Sequence, residues 1–79
     1  MTAMWNELDG VLSKTFKFAG FAEAFGFMTS VALIAQTMDH HPDMSIAYSR
    51  VSISMTTHDE GNTITDLDRR LAEAIDQLL

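Results

Sequence analysis

DHHPDMSIAYSRVSISMTTHD, residues 39–59, decides how this chain folds. Val51, Ile53 and Met55 alternate with Ser52, Ser54 and Thr56, the period-2 pattern of a strand with one apolar and one polar face. Met44–Tyr48 is a second β-like run, and only Ser49-Arg50 separates the two, so the pair reads as a tight antiparallel hairpin. Upstream, Pro42 disfavours helical backbone at the residue before it, so any helix arriving from the N-terminal side should stop by about His40. The stretch is therefore a helix exit, a corner carrying two adjacent histidines, and two strands.

Working outward, residues 21–38 carry two apolar stripes at helical spacing. One is Phe21, Phe25, Met28, Ala32 and Ala35; the other is Phe27, Val31, Ile34 and Met38. A helix apolar on two sides is buried on two sides. One side would cover the chain's own sheet and the other a neighbouring subunit. Gly26 inside this helix costs about 1 kcal/mol relative to alanine and could permit close packing.

Before the helix, Asp9-Gly10 is a two-residue hairpin signal, because a type I′ turn needs positive φ at both central positions. It joins a short strand at Met4–Leu8 to a strand at 11–18, where Phe16 and Phe18 share a face. Trp5 covers the core edge. After the second hairpin, Asp59-Glu60-Gly61-Asn62 is a turn and Thr65 an N-cap. Asp66 and Asp68 lie in the first turn of a last helix, with Leu67, Leu71, Ala74/Ile75 and Leu78 as its apolar stripe. The order β-β-α-β-β-α, with adjacent strands in place of strict alternation, predicts an α+β fold: a four-stranded antiparallel sheet with helices packed on one face. Residues 1–79 read as one domain.

Composition limits function. A core in 79 residues rarely supplies more than about 3–5 kcal/mol, and there is no cysteine to staple it. With 47% hydrophobic residues, burial of the surplus between copies, as a homo-oligomer, is expected. The absence of cysteine fits a reducing cytoplasm. A formal net charge of −6, with the basic residues dispersed, argues against nucleic-acid binding. The first ten residues, MTAMWNELDG, lack the charged and apolar regions of a signal peptide. Gly20, Glu23, Gly26, Thr29, Ser30, Gln36 and Thr37 make the apolar 18–38 stretch too polar for a convincing membrane span.

The candidate chemistry lies in His40, His41 and His58, the three histidines of the chain. Adjacent histidines rarely aim at one ion, so no metal site is expected. No cysteine and no G-x-S-x-G elbow supply a nucleophile. General acid–base work fits, since an imidazole titrates near working pH. Surface histidines without a role fit the spacing alone equally well.

Further residues supply a resemblance. D-H-H-P at 39–42, an aromatic after five more residues at Tyr48, a third histidine after nine more in Thr57-His58-Asp59, then Asp68 with Leu71-Ala72 resemble the pterin-4a-carbinolamine dehydratases. The likeness runs from about Trp5 to the C-terminus, with Phe16, Phe18 and Phe21 upstream of the corner. It implies the same α+β fold, a dimer or tetramer, and removal of water from 4a-hydroxytetrahydropterin to give quinonoid dihydropterin. That reaction recycles the cofactor of aromatic amino acid hydroxylases, with no metal or organic cofactor. It implies His40 and His58 as the acid–base pair and His41 as a hold on the pterin. Asp39, Met44, Tyr48 and Thr57 become candidate contacts, although Tyr48 fits core or interface packing equally well. Asp39, Gln36 and Asp68 become candidate groups orienting the imidazoles, and Asp68 reads equally as a helix-terminus charge.

Three positions depart from the family pattern. Gln36 stands where many members carry glutamate, removing a charge that could support His40 from the same helix face. Met44 replaces an aromatic, and Gly61-Asn62 replaces Gly-Gly. The resemblance would put a helix ahead of the first strand, and none is expected here. The resemblance leaves a second function open: some animal relatives also act as dimerisation partners of a transcription factor, so the chain could be a non-catalytic interaction module.

Overall fold

The computed structural model describes residues 4–79. The chain runs β1 (Asn6–Leu8), β2 (Val11–Lys17), α1 (Phe21–Met38), β3 (Asp43–Ala47), β4 (Arg50–Met55), one 3-10 turn (His58–Glu60) and α2 (Asp66–Asp76). The four strands form one antiparallel sheet in the order β1-β2-β4-β3. The predicted class and element order hold, with the 3-10 turn added before α2.

Side-chain alternation decides which face is covered. Leu12 and Phe16 of β2 and Val51, Ile53 and Met55 of β4 point inward and meet Ala24, Phe27, Val31 and Ala35 of α1 and Leu71, Ala72 and Ile75 of α2. Register keeps these faces aligned: Leu12 lies opposite Met55 and Phe16 opposite Val51. The outer face carries Ser13, Thr15, Ser52 and Ser54, with a Thr15–Ser52 hydroxyl bond of 3.2 Å across it. Phe27 packs against Phe16 and Phe18 at ring separations of 4.8 and 4.9 Å, in the range where offset or tilted rings attract.

The α1 face on the sheet takes Phe27 and Val31 from the second predicted stripe and Ala35 from the first, together with Ala24. The first keeps Phe21 and Phe25 more than half exposed. Gly26 is exposed, and a methyl group there would meet nothing within 4 Å, so close packing within the chain does not account for it. By length and mean hydropathy α1 could cross a bilayer, yet four of its residues are core of this sheet. That is the behaviour of a globular core helix rather than a lipid-facing span.

Lys14 also points inward. It is buried beside Trp5 and Phe16, with Nζ 2.8 Å from Asp76 Oδ1, while the Trp5 indole donates to Asp76 Oδ2 at 3.0 Å. A buried charge is tolerable when paired in this way.

Several strand boundaries moved: β2 ends at Lys17 rather than Phe18, and β3 begins at Asp43 rather than Met44. β1 begins at Asn6 rather than Met4. The second hairpin turns at Tyr48-Ser49, with Tyr48 at φ 52° and Arg50 already paired to Ala47, where the sequence suggested Ser49-Arg50. This register keeps Ile46 opposite Val51 on the covered face. The first hairpin turns at Asp9-Gly10 as expected, both with positive φ (52° and 77°). Gly10 is also a point of close approach: a Cβ there would lie 2.3 Å from the backbone oxygen of Asn62.

Candidate active site

The corner after α1 is built by its helix ending. Asp39 takes the left-handed conformation (φ 50°), its N–H returns to the Gln36 carbonyl, and the His40 N–H returns to the Ala35 carbonyl at 3.2 Å. This is a Schellman-type ending, and aspartate is among the few residues that accept it without glycine. The chain leaves the helix axis at Asp39, so His40 does not continue the face that carries Gln36.

His40 turns toward α2. Its Nε2 lies 2.6 Å from Oδ1 of Asp68, a side chain with no solvent exposure. The second carboxylate oxygen of Asp68 accepts the Thr57 hydroxyl at 2.6 Å and the Thr65 N–H at 2.9 Å, and Thr57 and Thr65 hydroxyls lie 2.6 Å apart. Burial pushes the Asp68 carboxyl up. The Thr57, Thr65 and His40 hydrogen bonds, with the charge of His40, together outweigh it and hold the group below the usual carboxylate value. Asp68 is ionised, and a carboxylate against the ring requires a proton on Nε2 and complements positive charge on the imidazole.

Its neighbours have different partners. His41 Nε2 lies 2.9 Å from the Gln36 amide oxygen, and His58 Nδ1 lies 2.7 Å from that of Asn62. Asp39, His40, His41, Thr57 and His58 line one cleft of about 250 Å³, together with Thr56, Asp59 and Leu67. That is just under the ~300–1,000 Å³ of drug-sized ligand pockets, room for one small molecule. A larger hollow, about 460 Å³, lies over the open sheet face, and serines, Thr15, Lys14, Asp43 and Met44 are among its walls. It lacks the imidazoles that acid–base chemistry needs. Among the described residues, no group of three histidine, cysteine or carboxylate side chains is placed to hold a metal ion.

The topology therefore gathers His40, His41, His58, Asp39 and Thr57, with Asp68 behind His40. Gln36 serves His41 rather than His40. Thr57 is 7% exposed and turns its hydroxyl into Asp68. Met44 and Tyr48 stand apart from the cleft. Met44 packs half-buried on the core, and Tyr48, 71% exposed, sits in the hairpin turn at the opposite end of β3. Sequence reasoning missed Asn62 and Leu67. The signal for Asn62 was an amide four residues after His58 in the same turn. Leu67 was assigned to the buried stripe of α2, but Asp68, Leu71, Ala72 and Ile75 form that stripe, which rotates Leu67 toward the cleft.

Comparison with known proteins identifies the family. The family model for pterin 4 alpha carbinolamine dehydratase matches residues 1–78. A Prochlorococcus marinus protein named "Putative pterin-4-alpha-carbinolamine dehydratase" is 51% identical over 74 residues, covering 94% of this chain and 76% of that one. The crystal structure of a transcriptional coactivator/pterin dehydratase from Brucella melitensis superposes with a TM-score of 0.86 at 40% identity, over 92% of this chain and 79% of that one. A pterin dehydratase-like protein described as a RuBisCO assembly factor in the alpha-carboxysome shares the fold, with a TM-score of 0.81 at 20% identity over 96% and 89% of the chains. A family match over nearly the whole chain, with relatives about half identical to it, shows that the chain belongs to the pterin 4 alpha carbinolamine dehydratase family.

Proposed function

We propose that the protein removes water from 4a-hydroxytetrahydropterin to give quinonoid dihydropterin by histidine acid–base catalysis. The observation that carries this reading is the buried Asp68 carboxylate fixed to His40 in a cleft that His58 also lines. Hydroxide is a poor leaving group, so the oxygen on C4a must gain a proton as the C–O bond breaks. N5 must lose its proton as the C4a=N5 double bond forms. His40, oriented by Asp68, gives a proton to the departing oxygen, and water leaves. His58 takes the N5 proton. Each transfer contributes about 10²–10⁴ in rate. His41, oriented by Gln36, holds the pterin ring, and Asp39, which lines the same cleft, is a second contact. Neither step calls on a metal or organic cofactor.

The reading places the protein in the cytoplasm, beside an aromatic amino acid hydroxylase that forms the substrate. It also includes self-association as a dimer or tetramer. The stacked Phe21 and Phe25 on the outer side of α1, with Leu33 66% exposed, support an interface between copies.

The test is the decay of freshly generated 4a-hydroxytetrahydropterin, followed by ultraviolet absorbance. Wild type should accelerate it, and His40→Ala and His58→Ala should each lose most of the acceleration. No acceleration by folded wild-type protein would reject the dehydratase. It would favour a non-catalytic interaction module, for which the same exposed α1 surface is the supporting feature.

A further inference from the structure

The three imidazoles differ in what holds them, and the difference at His58 has a specific chemical effect. Asn62 is four residues beyond His58, across the turn that closes the cleft. Its amide oxygen lies 2.7 Å from His58 Nδ1. An amide oxygen only accepts, so this bond requires the proton on Nδ1 and leaves Nε2 with its lone pair. Unlike the carboxylate at His40, an amide carries no charge. It selects a tautomer without favouring the cation.

The turn is constructed to hold Asn62 in place. Asn62 has φ 58° and donates its backbone N–H to the Thr57 carbonyl at 3.1 Å. The Thr57 N–H in turn donates to the Thr63 carbonyl at 2.9 Å, and the Thr63 hydroxyl caps the Glu60 carbonyl at 2.9 Å. Gly10 packs against the Asn62 backbone from the other side. The fixed backbone sets where the Asn62 side chain starts, within reach of the exposed His58 ring.

We infer that Asn62 is a positioning residue that fixes the His58 proton on Nδ1 and so presents an unprotonated Nε2 as the base. This rests on the dehydratase reading for its catalytic consequence, but the tautomer itself can be observed without turnover. The charged and titratable groups facing His58 are Asp39, His40 and His41 across the cleft and Asp59 and Glu60 on its own turn. Substitution of Asn62 leaves all of them in place.

The experiment is side-chain ¹⁵N NMR of the histidines in wild type, Asn62→Gly and Asn62→Asp, with pH–rate profiles of the same proteins. Glycine tolerates the left-handed backbone, so Asn62→Gly deletes the amide without straining the turn. Wild type should show His58 protonated on Nδ1 at neutral pH, and Asn62→Gly should shift it toward the Nε2-protonated form. In Asn62→Gly kcat should fall about tenfold with KM unchanged, a fraction of the ~10²–10⁴ attributed to a positioned base. Asn62→Asp adds a negative charge beside the ring and should move the acidic limb of kcat upward. A wild-type His58 protonated on Nε2, or a tautomer unchanged in Asn62→Gly, overturns the inference. A tautomer that responds in a protein without dehydratase activity upholds the positioning role and rejects the reaction.

Discussion

His40 and Asp68, 28 positions apart in the chain, are joined by a 2.6 Å bond between Nε2 and a carboxylate oxygen with no exposure to solvent. The pair links the end of α1 to the first turn of α2. One contact thus serves both packing and chemistry, and removing it should affect both.

Asp68→Asn keeps the shape and loses the charge. It should reduce stability by about 1–3 kcal/mol, the cost of leaving buried partners poorly satisfied, read from the urea midpoint. It should also remove much of the ~10²–10⁴ that an oriented acid supplies. A variant as active as wild type would detach Asp68 from the reaction.

The same carboxylate predicts an acid sensitivity. Its folded value is held below 3.8, so its contribution is complete above the unfolded value and is lost as pH falls through the lower folded one. The urea midpoint of wild type should fall as pH drops below about 4, and Asp68→Asn should flatten that part of the decline. Parallel curves for the two proteins would place the acid sensitivity elsewhere.

Thr57→Val removes a hydroxyl that sits 2.6 Å from both Asp68 and Thr65. Asp68 then loses one of its buried donors, and about 1–3 kcal/mol of stability should go with it. Thermal unfolding reads the loss, and Thr57→Ser should restore most of it. Equal damage from serine would show that packing of the methyl group, and not the hydroxyl, matters.

Gln36 holds His41, the imidazole assigned to the pterin ring. Gln36→Ala should therefore raise KM several-fold with little change in kcat, in steady-state kinetics on the 4a-hydroxypterin. A fall in kcat alone would instead connect Gln36 to the acid–base pair.

Gly26→Ala should stabilise the protein by up to about 1 kcal/mol, because the position is helical, exposed and free of nearby atoms. A lowered thermal midpoint together with a change in sedimentation would reveal that another copy approaches this glycine closely.

The parts of this fold that depend on local pattern were legible. Positive φ at Asp9-Gly10, a helix over 21–38 and the alternation from Val51 to Met55 each follow from neighbours in sequence, and each is found where expected. What depends on partners far along the chain was not. Gln36 and His40 were paired by helical spacing, but the left-handed Asp39 takes His40 off the helix and hands Gln36 to His41. Asp68 reads as a first-turn charge until Thr57, from the end of β4, supplies the hydrogen bond that lets it face inward. The turn at Tyr48 was displaced by one residue because cross-strand pairing, which a single strand does not display, decides the register. Asn62 was passed over because a polar residue in a turn has an ordinary explanation in solvent.

Hairpin tips are the usual places to lengthen a chain or insert a tag, and the described residues hold two. They are not equivalent. Gly10 rests against the Asn62 carbonyl and its own carbonyl accepts the Thr56 hydroxyl at 2.7 Å, so the first tip braces the turn that carries His58. Extra residues at Asp9-Gly10 would disturb a histidine nearly fifty positions downstream. The Tyr48-Ser49 tip, at the far end of the sheet, is the one an engineer could extend while leaving the cleft undisturbed.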